Sequence, residues 1–324
     1  ALPVDQLINY NSTTWFFRLK GTDLYYFPGV YPKVASEIPF IYQGRKAYMQ
    51  DAEAPFEIPV SKASDNRSVV SVKASLDGTK MNISRRVVYS GEQKMFGQSV
   101  CSPEVSLYGP DHLEAYWRYL KYDDSNPYCV FPKKDASNIK AAFAEYKQKE
   151  QADQFKEEVT GYHESDPVKV SGYGVDCVGI RKDSADLVYH VDYEMEGLVK
   201  RAGSSMMLAV GKLIGEQMKL EGNERIRKDR IWRRMAFADE WNIEVALPKG
   251  YQASAESLKK LNTTVSNDCG EFAVKASAGA GKIIVHVSKS FLHREEPVAN
   301  WDKVLKLVDA CSAFNEKQVV ITKK

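Results

Sequence analysis

The chain has 324 residues, 44% apolar and 27% charged, the make-up of folded globular protein with room for two or three domains. Its 45 basic and 43 acidic side chains leave a formal net charge of only +2, so global charge gives no argument for nucleic acid or an anionic membrane. No apolar run reaches the ~20 residues needed to span a bilayer.

The start "ALPVDQLINYN" has neither the basic opening nor the long apolar core of a signal peptide. With no initiator Met, the expectation is a processed protein or an excised fragment. Residues 13–19 and 23–27 read as a hairpin of aromatic and β-branched arms around Lys20-Gly21-Thr22. Residues 28–60, rich in Pro, Gly and Tyr, read as irregular chain with short strands.

A stronger hairpin comes next. Val70, Val72 and Ala74 alternate with polar residues, Asp77-Gly78 offers a type I′ turn, and Met81, Ile83, Arg85 and Val87 continue the alternation. At Asp111 the period changes. Leu113, Tyr116, Trp117 and Leu120 make a helical stripe behind an Asp111/Glu114 cap. A second helix, about 137–160, carries Ile139, Phe143, Tyr146, Phe155 and Val159 inward and stops at Gly161.

Strands resume at 167. Leu187, Tyr189, Val191 and Tyr193 form one face of a strand, with Val188, His190, Asp192 and Glu194 on its wet face. "SMMLAVGKLIGEQMKL" fits helix or strand equally. From 230 the pattern is β until a helix capped by Asn300, with Trp301, Val304, Leu305, Val308 and Cys311 as its stripe; "QVVIT" is a last strand. The expected fold is therefore mainly β: antiparallel β-sandwich domains with an inserted helical pair at 110–160 and a late helix. Expected boundaries are 1–60, 61–181 and 182–324.

Motifs for chemistry are scarce. "SAGAGK" at 277–282 lacks the first glycine and the Ser/Thr of a phosphate loop and reads as a hairpin turn. "GYG" at 172–174 reads as a bulge or a close backbone approach. His112, His163, His190, His286 and His293 are scattered, and GxSxG and HExxH are absent. Cys101, Cys129, Cys177, Cys269 and Cys311 form no CxxC, so a structural metal is not expected. They read as buried thiols, with one disulfide open if the compartment is oxidising. None has the setting of a catalytic nucleophile, and no cofactor is expected. The basic run "NERIRKDRIWRR" has acids interleaved and reads as a solvated strand edge or ion pairs rather than a nucleic-acid site.

The stretch "NSTTWFFRLKGTDLYYFPG" resembles, in length, turn and aromatic content, the hairpin of transglutaminase-like (papain-type) enzymes that carries the catalytic His and Asp. "YPKVASEIPFIYQGRKAYMQ", "SVVSVKASLDGTKMNISRRVVYSG", the "LPKGY" turn at 247–251 and "WDKVLKLVDACSAF" resemble the segments C-terminal to that core in exported bacterial proteins, where it lies between β-sandwich domains of unknown function. On that resemblance the His falls at about Ser12 and the Asp at about Phe27, and the segment for the nucleophilic Cys is absent. The resemblance therefore implies a non-catalytic accessory or binding module of an exported, periplasmic or cell-surface protein. Its partner would be an unidentified protein or glycan. The residues leave two rivals open: a hydrolase using carboxylates on the sheet face, or a carbohydrate- or peptide-binding sandwich using Tyr25, Tyr26 and Tyr31.

Overall fold

The computed structural model describes residues 16–19, 25–26, 37–48, 54–95, 151–179 and 185–323. Its framework is an eight-stranded sheet. The strands in chain order are β1 (Arg67–Asp77), β2 (Lys80–Tyr89), β3 (Lys169–Val178), β4 (Leu187–Met195), β7 (Phe237–Ala246), β9 (Thr263–Asn267), β10 (Gly270–Gly279) and β11 (Lys282–Phe291). Their spatial order is β9-β10-β11-β7-β1-β2-β4-β3. A four-stranded sheet has the order β8-β12-β6-β5, from β5 (Val199–Ala202), β6 (Ser205–Leu208), β8 (Tyr251–Ala253) and β12 (Val319–Lys323). Helices are α1 (residues 151–163), α2 (Ala255–Lys259) and α3 (Trp301–Asn315).

Mainly-β architecture is as expected, but the large sheet is not wholly antiparallel. β1 and β7 pair in parallel. On its other side β1 pairs with its hairpin partner β2 and β7 pairs with β11, and the long chain between β1 and β7 allows a parallel seam that no tight turn could make. The sheet also crosses the boundary expected at 181–182, because β3 and β4 on either side are neighbours.

One face of the large sheet is apolar in rows. Val274, Val287, Trp241, Val70, Val87 and Tyr189 are successive cross-strand partners, all buried. Met206 and Leu208 of β6, Val319 and Ile321 of β12, Phe155 and Val159 of α1, and Cys311 and Phe314 of α3 share the core with that face. Burial of this kind contributes about 25 cal/mol per Å² of apolar surface. The opposite face is wet, with Lys80–Glu194 and Lys282–Glu244 ion pairs.

Several local expectations change. Asp77 pairs with Lys80, so the first hairpin turns on Gly78-Thr79, with positive φ at Gly78 alone. That suits a type II′ turn, with glycine first, not type I′. Ala280-Gly281 of "SAGAGK" does close a hairpin, and β3 bulges beside Gly172 and between Val175 and Cys177. "SMMLAVGKLIGEQMKL" resolves into β6, a 3₁₀ segment at Val210–Ile214 and irregular chain. In the basic run only Ile231–Trp232 is strand, paired with Glu295–Glu296. Asn300 makes no side-chain cap bond; it donates to Glu296 instead, at 2.7 Å. Trp301 is only half-buried, its indole donating to the Arg225 carbonyl at 2.7 Å. The first expected helix, with Leu113, Trp117 and Leu120, lies outside the described residues. Among the described residues no helix is long and apolar enough to cross a membrane.

Candidate functional site

Arg85 is the anomaly in the core. It sits on β2 in a row whose other members are Ala276, Val285, Ile243, Val72, Val191 and Tyr173, and it is 1% exposed. An isolated charge there would cost far more than the fold can spare. α1 supplies the partner: Glu158 Oε2 accepts from Arg85 Nη2, while Glu158 Oε1 accepts from the Tyr189 hydroxyl at 2.9 Å. The guanidinium lies over the Tyr162 ring, 3.8 Å from its centroid. Burial opposes the charge, but Glu158 and the surrounding phenols outweigh it and hold the Arg85 pKa well above the usual arginine value. Burial pushes Tyr193 up to about 12. His163, bonded through Nε2 to the Tyr193 hydroxyl at 2.8 Å, is lowered to about 3 by burial and then by Arg85 and Lys212. This cluster fastens α1 to the sheet.

Next to it the apolar rows end. At the same level on three adjoining strands the inward residue turns polar: Ser68 before Val70, Asp239 before Trp241, Lys289 after Val287. Ser68, Asp239 and Lys289 are cross-strand partners. With Tyr89, Tyr162, Phe237 and Trp241 they line a cavity of about 460 Å³. That lies within the ~300–1,000 Å³ of small-molecule sites.

The polar wall is a connected chain. Gln93 Nε2 donates to Asp239 Oδ1 at 3.1 Å, Lys289 Nζ lies 3.6 Å from Asp239 Oδ2, and Lys289 Nζ donates to Gln217 Oε1 at 3.1 Å. Gln217 Nε2 is spent on the Ile214 and Gly215 carbonyls. Gly215 makes this approach possible. It has φ of +76°, and a Cβ there would come within 2.8 Å of the Tyr162 ring. Burial raises the Asp239 carboxyl above its usual value, and Lys289 partly restrains it. Glu216, also in the lining, is held by Lys212 at 2.9 Å.

The site thus presents an acceptor at Asp239, a donor at Lys289 with one N–H beyond its two partners, and aromatic walls. Sequence reasoning does not find it. The polar breaks at Ser68, Asp239 and Lys289 are visible one by one in the sequence, but only register shows that the three coincide. Gln93 and Gln217 carry no sequence signal.

The tyrosines that the sequence suggests lie elsewhere. Tyr25 is buried at 3% exposure, 6.0 Å from the Phe16 ring and 6.4 Å from Phe56, and lines a second cavity of about 520 Å³. Tyr26 pairs with Phe17 in a two-residue ladder, and Tyr31 lies outside the described residues. Ser12 and Phe27, where the resemblance puts the catalytic pair, also lie outside them. So do Cys101, Cys129 and His112. Cys269 and Cys311 are buried, and burial first pushes both thiols up to about 11. Among the described residues no group of His, Cys, Asp and Glu is placed to hold a metal ion. No family model, curated protein or solved structure matches the chain.

Proposed function

We propose that the chain is a non-catalytic binding module whose site is the cavity under Asp239 and Lys289, and that its ligand is a small hydroxyl-rich molecule of the glycan class. The observation that carries this is the coincident polar break on three adjacent strands, which puts a hydrogen-bonded acceptor and donor against aromatic walls. Neutral polyols are recognised by just such pairs, each hydroxyl donating to a carboxylate and accepting from an ammonium. The resemblance to exported transglutaminase-like proteins supports a place in a cell envelope, where glycans are available partners.

The raised thiol pKa values of Cys269 and Cys311 favour binding over nucleophilic catalysis by either. Burial shifts the Asp239 carboxyl in the direction a general acid needs, which gives the hydrolase rival its one supporting observation. Calorimetric titration with a panel of mono- and disaccharides, and in parallel with short peptides, separates the readings. Saccharide binding lost in Asp239→Ala supports the module. Peptide binding alone would reassign the ligand, and turnover of a glycoside that requires Asp239 would replace the module with a hydrolase.

A further inference from the structure

Between residues 225 and 234 the sequence places six cations, Arg225, Arg227, Lys228, Arg230, Arg233 and Arg234, against the single acid Asp229. The near-zero net charge of the chain conceals this local excess. In the fold the run lies along residues 294–301. Trp301 Nε1 bonds the Arg225 carbonyl, Arg227 sits 5.2 Å over the Trp301 ring, Trp232 pairs with Glu295, and Arg294 sits 5.3 Å over the Trp232 ring.

Two of the cations are neutralised: Arg225 is bidentate to Asp309 at 2.7 and 2.8 Å, and Arg230 lies 3.4 Å from Glu295. Arg227 and Lys228 have no carboxylate within 4.0 Å among the described residues. Large apolar side chains stand among these charges and face water. Ile226 is 66% exposed, Trp232 50% and Val298 42%.

We propose that this face is a docking surface for an anionic lipid bilayer, with Arg227 and Lys228 on phosphate headgroups and Ile226 and Trp232 in the interfacial zone. Cations set among exposed aliphatic and indole side chains are the chemistry of an interfacial anchor. A nucleic acid fits less well. Aliphatic Ile226 and Val298 have no counterpart on a phosphate backbone, and one face of each indole is already covered by an arginine.

The test is sedimentation of the whole chain with vesicles of phosphatidylcholine, alone or equimolar with phosphatidylglycerol, at low and high salt. Binding should require the anionic lipid and weaken with salt. Arg227→Glu and Lys228→Glu should each lower the partition coefficient at least about fivefold. Ile226→Gln should weaken it without changing the salt dependence. These side chains are exposed, and an unchanged melting temperature confirms that each variant is folded. Equal sedimentation with both vesicle types, or wild-type partitioning by Arg227→Glu/Lys228→Glu, would overturn the proposal. So would preferential binding of a single-stranded oligonucleotide that competes the vesicles away.

Discussion

Asp239 on β7 and Lys289 on β11 are direct cross-strand partners whose charged ends lie 3.6 Å apart on the buried face of the large sheet. Both are nearly buried, with side chains 13% and 18% exposed. Removing one therefore strands the other. Lys289→Met should raise the Asp239 carboxyl further and cost about 1–3 kcal/mol. Lys289→Met/Asp239→Asn should recover part of that loss. Urea denaturation of the two variants measures both effects, and a double variant no more stable than the single would show that the pair is not coupled.

The Arg85–Glu158 pair is deeper, at 1% and 8% side-chain exposure. Arg85→Ala leaves a buried carboxylate facing phenols and should destabilise by about 3–5 kcal/mol. Arg85→Met/Glu158→Leu removes both charges and should cost much less. A double-mutant cycle by chemical denaturation gives the coupling; additive losses would mean that α1 is not fastened through this pair.

His163 makes stability depend on acid. Its folded pKa, about 3, lies below the ordinary value of 6.5, so between those limits the unfolded chain binds a proton that the folded chain refuses. Its contribution is complete above pH 6.5 and is lost as pH falls towards 3, at up to about 1.4 kcal/mol per pH unit. His163→Asn should flatten that part of the profile. Melting temperatures of wild type and variant from pH 7 to about pH 4 provide the comparison.

Gly215→Ala tests the strap that carries Gln217. The new methyl would meet the Tyr162 ring at a backbone φ of +76°. A loss of about 1–3 kcal/mol and weaker ligand binding are expected. Unchanged binding would remove the strap from the site.

Much of the framework is legible from period alone. Val70, Val72 and Ala74, the Leu187–Tyr193 face and the α3 stripe at Val304, Leu305, Val308 and Cys311 all recur as their burial requires. Period also puts Arg85 on that inward face, but its burial is not foreseeable, since its partner Glu158 comes from a helix 73 residues on. The parallel seam of β1 and β7 is equally hidden, because sequence order favours neighbours and this pairing joins distant segments. The cavity escapes the sequence for the same reason. A lone Asp or Lys at a strand end reads as solvated, and only the register of Ser68, Asp239 and Lys289 turns three strand ends into one wall.

Whether this wall reads hydroxyl groups is tested most directly by ligand-observed saturation-transfer NMR with the saccharide panel. Three proteins are compared: wild type, Asp239→Asn and the exposed-face control Lys73→Ala. Transfer to a saccharide is expected with wild type and control, and its loss with Asp239→Asn at unchanged fold. Transfer that survives Asp239→Asn undiminished, or no transfer from wild type to any saccharide, would contradict a hydroxyl-reading site.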